Sequence, residues 1–263
     1  MPKNRLLFLT CYTLLFVGPL SCAYAQDAEE AKDQDSAEES AETEVERVPG
    51  SGLRTIKTET EMDGLLKKAE SGDAQAQYDY GIASLQGYLM EQDKKKGVEW
   101  MRKAADQDLE LAIYNMGFAN MNGIGLETNK EEAVSWFKRS AAKGIHPAQY
   151  ELGRAYMEGR GTTKDEEIGV KWLEKAANGG ITAAQYELGR AYFNGDGVEQ
   201  DYSEAFAWGH LASRYYAGAG ELIADLHMEL DPKQYKKAKA RAAELKKEVE
   251  AKLAENDHSL IAQ

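Results

Sequence analysis

Residues that could carry out catalysis or bind a metal are few in this chain of 263 amino acids, and they are dispersed. The histidines stand singly, and none lies three or four residues from another. They are His146, His210, His227 and His258. Because a metal site needs ligands that converge, this spacing predicts no metal site. It is typical of isolated histidines that are partly exposed.

One glycine-rich stretch, Gly159-Arg-Gly-Thr-Thr-Lys164, superficially resembles a phosphate-binding loop. Its spacing differs from the Walker motif, and it follows a predicted helix where that motif follows a strand. The chain has no Gly-x-Ser-x-Gly nucleophile motif. Its net charge of −13 disfavours binding to nucleic acid or to anionic membranes. We therefore predict no enzymatic activity, no catalytic residue, no cofactor and no nucleic-acid partner.

A period of 36 residues organises the rest of the chain. The nine residues from Ala148 to Tyr156 return unchanged from Ala184 to Tyr192. The same spacing relates one tyrosine, one glycine and one tryptophan of every unit. These are Tyr78, Tyr114, Tyr150 and Tyr186; Gly81, Gly117, Gly153 and Gly189; and Trp100, Trp136, Trp172 and Trp208. A fixed period of this length predicts stacked structural repeats. Recurrence of the tryptophan in every unit favours a packing role over a sugar-binding ladder.

Each repeat has the pattern of two helices joined by a glycine-containing turn. The second helices begin after good N-cap residues, and Asn129 and Asp201 are each followed three residues later by a glutamate, which predicts capping boxes. In the first helices, recurring glycines such as Gly153 and Gly189 lie on the predicted buried side, where a neighbouring helix can approach closely. The first repeat departs from the pattern, because its turn after Gly87 lacks the second glycine.

These motifs resemble the Sel1-like repeat family, a relative of the tetratricopeptide repeats. The matching pattern is A-x-Y-x-L-G-x-A-Y, then G-x-G, then D/N-x-x-x-A-x-x-W-x-x-x-A-A-x-x-G, over residues 73–214. The resemblance implies an all-α fold, a right-handed α/α superhelical solenoid of helix-turn-helix repeats with terminal capping helices. It also implies an adaptor function, such as an envelope scaffold or regulator. A cysteine-rich branch of the family is associated with penicillin binding and hydrolysis, but this chain lacks its cysteine pairs.

The first 25 residues have the pattern of a secretory signal peptide. Lys3 and Arg5 precede an apolar run, and cleavage is expected between Ala25 and Gln26, which predicts a periplasmic or secreted protein. An uncleaved membrane anchor and a lipoprotein acylated at Cys22 are the alternatives. Residues 26–57 are acidic and are expected to form a disordered linker, either a spacer or an interaction tail.

Further elements are predicted on both sides of the four repeats. Residues 58–72 have the pattern of a capping half-repeat, residues 215–230 that of a partial repeat, and residues 255–263 that of a disordered tail. Residues 231–254 are predicted to form an amphipathic helix that caps the solenoid. A dimer through this helix is the alternative, since its apolar stripe has near-heptad spacing, but we expect a monomer.

The partner-binding surface is predicted where the repeats differ. On the first helices, two sets of positions vary between repeats and fall on the face assigned to solvent. The sets are Asp79, Asn115, Glu151 and Glu187, and Ile82, Phe118, Arg154 and Arg190. Stacking would align them in a row on the concave surface, where phenylalanine and arginine are typical interface anchors. The sequence therefore predicts a site for a protein or peptide, and weak surface ion pairs are the alternative explanation.

Overall fold

The computed structural model describes residues 56–261, with side chains through residue 254. The predicted signal peptide with its Ala25–Gln26 cleavage site, and nearly all of the acidic linker, lie outside the described residues. The described part is all-α, which confirms the predicted fold class. Its helices are α1 (Glu59–Glu70), α2 (Ala74–Gln86), α3 (Lys94–Asp106), α4 (Glu110–Asn122), α5 (Lys130–Ala142), α6 (His146–Glu158), α7 (Glu166–Asn178), α8 (Thr182–Asn194), α9 (Tyr202–Ala212), α10 (Ala219–Glu229) and α11 (Pro232–Ile261). None of these helices is long and apolar enough to cross a membrane.

The chain divides into two compact units between Phe118 and Ala119. Unit 1 contains α1, α2, α3 and most of α4, and unit 2 contains the remainder. In each unit, the two helices of a repeat pack closely because small residues face each other. A Cβ atom placed on Gly81 of α2 would lie 2.8 Å from the carbonyl oxygen of Gly97 on α3. Likewise, a Cβ atom placed on Gly153 of α6 would lie 3.1 Å from the carbonyl oxygen of Gly169 on α7.

The turns and helix ends follow the sequence pattern with one difference. The first helices α2, α6 and α8 end at glycines in the left-handed conformation, which a glycine adopts without a steric penalty. The side chains of Asn129 and Asp201 cap α5 and α9 as predicted. Their backbone N–H groups, however, donate to the carbonyls of Asn120 and Tyr192.

The two predicted capping boxes are therefore not reciprocal, because the N-cap N–H groups are already bonded. Glu132 accepts instead from the Trp136 indole N–H, and Glu204 accepts from Arg241. A complete capping box occurs at Thr58 and Glu61, where α1 begins.

The apolar stripe of α11 is buried within the chain. Ala238, Ala242, Leu245 and Val249 pack in a cluster with α9 residues such as Phe206. Arg241 adds an ion pair of 2.6 Å to Glu204 on α9. The predicted dimer seam is thus occupied by the chain's own helices, and pairing through it would require α11 to detach. The helix also continues to Ile261, beyond residue 254, because no glycine or proline follows Pro232 to end it.

Candidate functional site

Three of the predicted site residues are buried. Asp79 and Ile82 on α2 are 3% and 0% exposed, and Asn115 on α4 is 4% exposed. The prediction that these positions face solvent is wrong. All ten residues from Ala76 to Leu85 are buried, because α2 is enclosed by α1, α3 and the first part of α4. Asn115 donates to the Tyr78 hydroxyl at 2.8 Å, so it links two first helices.

Phe118 is half-buried at the end of unit 1. Its ring lies edge-on to Tyr114 on the same helix, with 5.3 Å between the ring centroids. Phe118 is therefore a packed aromatic residue with a partly accessible ring.

In unit 2 the predicted positions remain accessible. Glu151, Arg154 and Glu187 are half-buried, and Arg190 is exposed. Tyrosines from the same helices and from the segment after α9 lie beside them. We call this group the first-helix patch; its members are Tyr150, Glu151 and Arg154 on α6, Tyr186, Glu187 and Arg190 on α8, and Tyr216.

Arg154 interacts with several charged and aromatic side chains in and beside the first-helix patch. Its Nε and Nη2 atoms both donate to Glu158 Oε1, at 3.2 and 3.0 Å. Its guanidinium lies 5.7 Å from the centre of the Tyr150 ring and also interacts electrostatically with Glu151. Arg160, in the turn after α6, reaches the other oxygen of Glu158 at 2.8 Å. One carboxylate thus holds two arginines.

Glu151 lies near Arg154 and Arg160, but it has no hydrogen bond to any described residue. Burial raises the pKa of Glu151 above its ordinary value, and the nearby charges of Arg154 and Arg160 only partly oppose this shift. The Nη2 atom of Arg160 is buried and has no hydrogen-bond partner among the described residues. Glu151 of the patch and the adjoining Arg160 therefore have bonding capacity that is not used within the described residues.

The α8 side of the patch combines charge with stacked tyrosines. Burial raises the pKa of Glu187 above its ordinary value, and the nearby charges of Arg190 and Arg154 only partly oppose this shift. The Arg190 guanidinium lies 6.0 Å from the centre of the Tyr186 ring. Tyr186 in turn stacks on Tyr216, with 4.6 Å between centroids. Such a surface offers a ligand both flat aromatic area and charge.

Sequence reasoning missed Tyr216, although a signal was available. Tyr216 occupies the position of the glycines that close the second and third repeats, Gly144 and Gly180. Loss of that glycine in the fourth repeat marks a changed turn, and the tyrosine that replaces it completes the patch.

The described residues show no catalytic arrangement around the remaining reactive groups. Two Ser-x-x-Lys spacings occur, at Ser135 and Ser140. Ser140 is fully buried, and the Ser135 hydroxyl donates to the Glu131 carbonyl, so neither is presented as a nucleophile. Within the described chain, no three His, Cys, Asp or Glu side chains group as a metal site would require.

The tryptophans lie on the second helices of the repeats. A cation three residues later covers each of three rings. The Nζ atom of Lys103 lies 3.6 Å from the centre of the Trp100 ring, and that of Lys175 lies 4.0 Å from the centre of the Trp172 ring. The Cζ atom of Arg139 lies 5.4 Å from the centre of the Trp136 ring. Trp208 is buried. These rings are engaged within the chain.

A family model described as Sel1 repeat matches four consecutive segments, residues 74–109, 111–145, 146–181 and 182–214. Among curated proteins, no significant match to the chain was found. Solved structures give further similarity. A Sel1 repeat protein from Oxalobacter formigenes is 33% identical, with a TM-score of 0.59 over 65% of this chain and 50% of that protein.

A second solved structure is c5321, a protective antigen present in uropathogenic Escherichia coli strains that displays an SLR fold. It is 28% identical, with a TM-score of 0.50 over 75% of this chain and 50% of that protein. In both cases this chain matches about half the length of the similar protein.

Proposed function

Because the chain belongs to the Sel1 repeat family, we propose that it is a protein-binding scaffold without catalytic activity, and that its partner binds the first-helix patch. Sel1 repeat proteins generally mediate interactions between proteins. The partner in this proposal is a protein or peptide that lies across α6 and α8.

The observation that carries this proposal is the contrast between the two units at equivalent repeat positions. Asp79 and Asn115 are buried in unit 1, whereas Glu151 and Glu187 reach the surface of unit 2. A partly desolvated carboxylate without a hydrogen bond is costly in the free chain. A partner that donates to Glu151 or Glu187 would recover that cost, and the stacked tyrosines would supply apolar contact area.

Burial raises the pKa of Glu151, and the surroundings of this carboxyl favour a role in partner binding over acid catalysis. A catalytic acid needs a reacting group within hydrogen-bond reach and usually a second catalytic residue. The neighbours of Glu151 are Arg154, Arg160 and Glu158, which form a charge network. This arrangement supports recognition of a polar surface.

We further propose that the scaffold works outside the cytoplasm, in the periplasm or as a secreted protein. The support is the signal-peptide pattern of residues 1–25. Mass spectrometry of the protein from cell fractions tests it. A mature N-terminus at Gln26 is expected, and an intact N-terminus in the cytoplasmic fraction would contradict the proposal.

Affinity capture with matched charge reversals tests the binding site. Arg190→Glu changes an exposed arginine of the patch, and Lys171→Glu changes an exposed cation on α7, outside it. We expect Arg190→Glu to weaken capture of the partner by about tenfold or more, the equivalent of about 1.4 kcal/mol. Lys171→Glu should capture as much partner as the native protein. Equal capture by both variants, with native circular dichroism, would remove the patch as the binding site.

A further inference from the structure

The turn of the first repeat contains a leucine in a backbone conformation that glycine normally adopts. Leu89 has a φ of 54°, in the left-handed region. The other three repeats have glycine at this position, Gly125, Gly161 and Gly197, with φ values of 67°, 71° and 70°. A bulky side chain in this conformation is strained, and such strain is typical of binding sites.

The glycine has a clear packing role in the later repeats. A Cβ atom on Gly161 would overlap the carbonyl of Lys130, the first residue of the preceding second helix, α5. One on Gly197 would overlap the backbone of Glu166, the first residue of α7. The turn and the preceding helix therefore touch in these repeats. A residue with a side chain cannot make the same contact.

In the first repeat, a cavity of about 220 Å³ lies between the turn and the preceding helix, α1. Met62 and Leu66 of α1 and Leu89 and Met90 of the turn form its apolar wall. Tyr80 also lines the cavity, and its hydroxyl already accepts from Lys96 at 3.1 Å. Substitution of glycine by Leu89 thus coincides with an open pocket in unit 1 that combines this apolar wall with polar lining.

The rim of this pocket is acidic. Glu59 and Asp63, one helical turn apart on α1, line it and are exposed. Neither carboxylate forms an ion pair with a described residue. The neighbouring Glu61 is used at the helix N-terminus, where it accepts from the N–H groups of Lys57 and Thr58. The rim therefore offers two carboxylates to a cation.

The size of the pocket limits its occupant. Sites for drug-sized ligands and cofactors usually exceed about 300 Å³, whereas an aliphatic cavity of about 150 Å³ holds a molecule the size of benzene. We infer that this pocket binds one aliphatic side chain of a partner protein, flanked by lysine or arginine residues that pair with Glu59 and Asp63. This site is separate from the first-helix patch and does not depend on it.

Methionine-methyl NMR of the full chain tests the inference, because Met62 and Met90 line the pocket. The probe is the capped peptide Gly-Lys-Leu-Lys-Gly, compared with Gly-Glu-Leu-Glu-Gly and Gly-Lys-Ala-Lys-Gly. We expect the first peptide to shift the Met62 and Met90 methyl signals and to leave Met101, in the core of α3, unchanged. The acidic peptide and the alanine peptide should produce no shift at the same concentration.

Three variants complete the test. Asp63→Lys should weaken binding at least about tenfold by reversing a rim charge. Glu70→Lys makes the same change on α1 outside the pocket and should have no effect. Leu89→Gly restores the glycine of the other repeats and should abolish the shifts.

Three results would overturn the inference. One is the absence of shifts at millimolar peptide, and another is equal binding by Asp63→Lys and Glu70→Lys. The third is a change in the Met62 and Met90 signals on Leu53→Ser substitution without peptide, which would identify the chain's own preceding segment as the occupant.

Discussion

Replacing Gly81 by alanine should leave the stability unchanged or lower it by up to about 2 kcal/mol, whereas the same change at Gly64 should stabilise the protein. Both glycines lie inside helices of unit 1, in α2 and α1. A Cβ atom on Gly64 would meet no atom within 4 Å. One on Gly81 would lie 2.8 Å from the Gly97 carbonyl oxygen and 3.1 Å from the Met101 nitrogen. Because both neighbours are backbone atoms, the helices α2 and α3 would have to move apart.

The magnitude follows from two opposing terms. Alanine in place of glycine inside a helix gains about 1 kcal/mol, and this gain applies to both variants. Overpacking costs about 1–3 kcal/mol and applies only at Gly81. The two variants should therefore differ by about 1–3 kcal/mol in the free energy of unfolding. In a protein of this size, each kcal/mol shifts Tm by about 2–4 °C.

Thermal and urea denaturation followed by circular dichroism at 222 nm measure the difference. The expected order of stability is Gly64→Ala, then the native protein, with Gly81→Ala at or below the native value. If Gly81→Ala were as stable as Gly64→Ala, α2 and α3 would not be in close contact at Gly81, and the packing described for the repeats would be wrong.

Three further outcomes are expected. Gly153→Leu should lower Tm, because even a Cβ there would lie 2.9 Å from Leu173; a neutral variant would contradict the packing of α6 on α7. Leu245→Ala should cost about 2–5 kcal/mol in urea denaturation without changing the mass found by light scattering, since Leu245 is buried against the chain's own helices; loss of a dimer would contradict this. Glu151→Gln should have a higher free energy of unfolding than the native protein at pH 7. This difference should shrink as the pH falls from the raised pKa of Glu151 towards the ordinary pKa of a glutamate. A difference that grows at low pH would contradict the raised pKa of Glu151. The reason is that a carboxylate whose pKa is raised by burial favours folding when protonated, and it loses that contribution as the pH rises.

The repeat architecture could be predicted because the same constraint acts in every copy. The recurring glycine at positions 81, 153 and 189 indicates close helix contact, and the second helices bury the stripe that their spacing predicts. On α3 this stripe is Gly97, Val98, Met101, Ala104 and Ala105. Periodicity reports such repeated contacts directly.

The candidate site could be predicted only in part, because exposure depends on neighbours that periodicity does not report. Ile82 and Arg190 occupy equivalent repeat positions, yet Ile82 is fully buried and Arg190 is exposed. The difference arises from the helices around α2 and α8, and a single-helix pattern carries no information about them. The capping boxes failed for a similar reason, since the N–H groups of Asn129 and Asp201 are bonded to the preceding helices.

Site-specific photo-crosslinking in intact cells tests the central claim most directly. A benzophenone amino acid replaces Ala217, which is exposed next to Tyr216 of the first-helix patch, or, as the control, the exposed Lys171 on α7. A partner bound to the patch should form a discrete covalent adduct from position 217 and none from position 171. Absence of an adduct at position 217, or the same adduct from both positions, would contradict the assignment of the first-helix patch as a protein-binding surface.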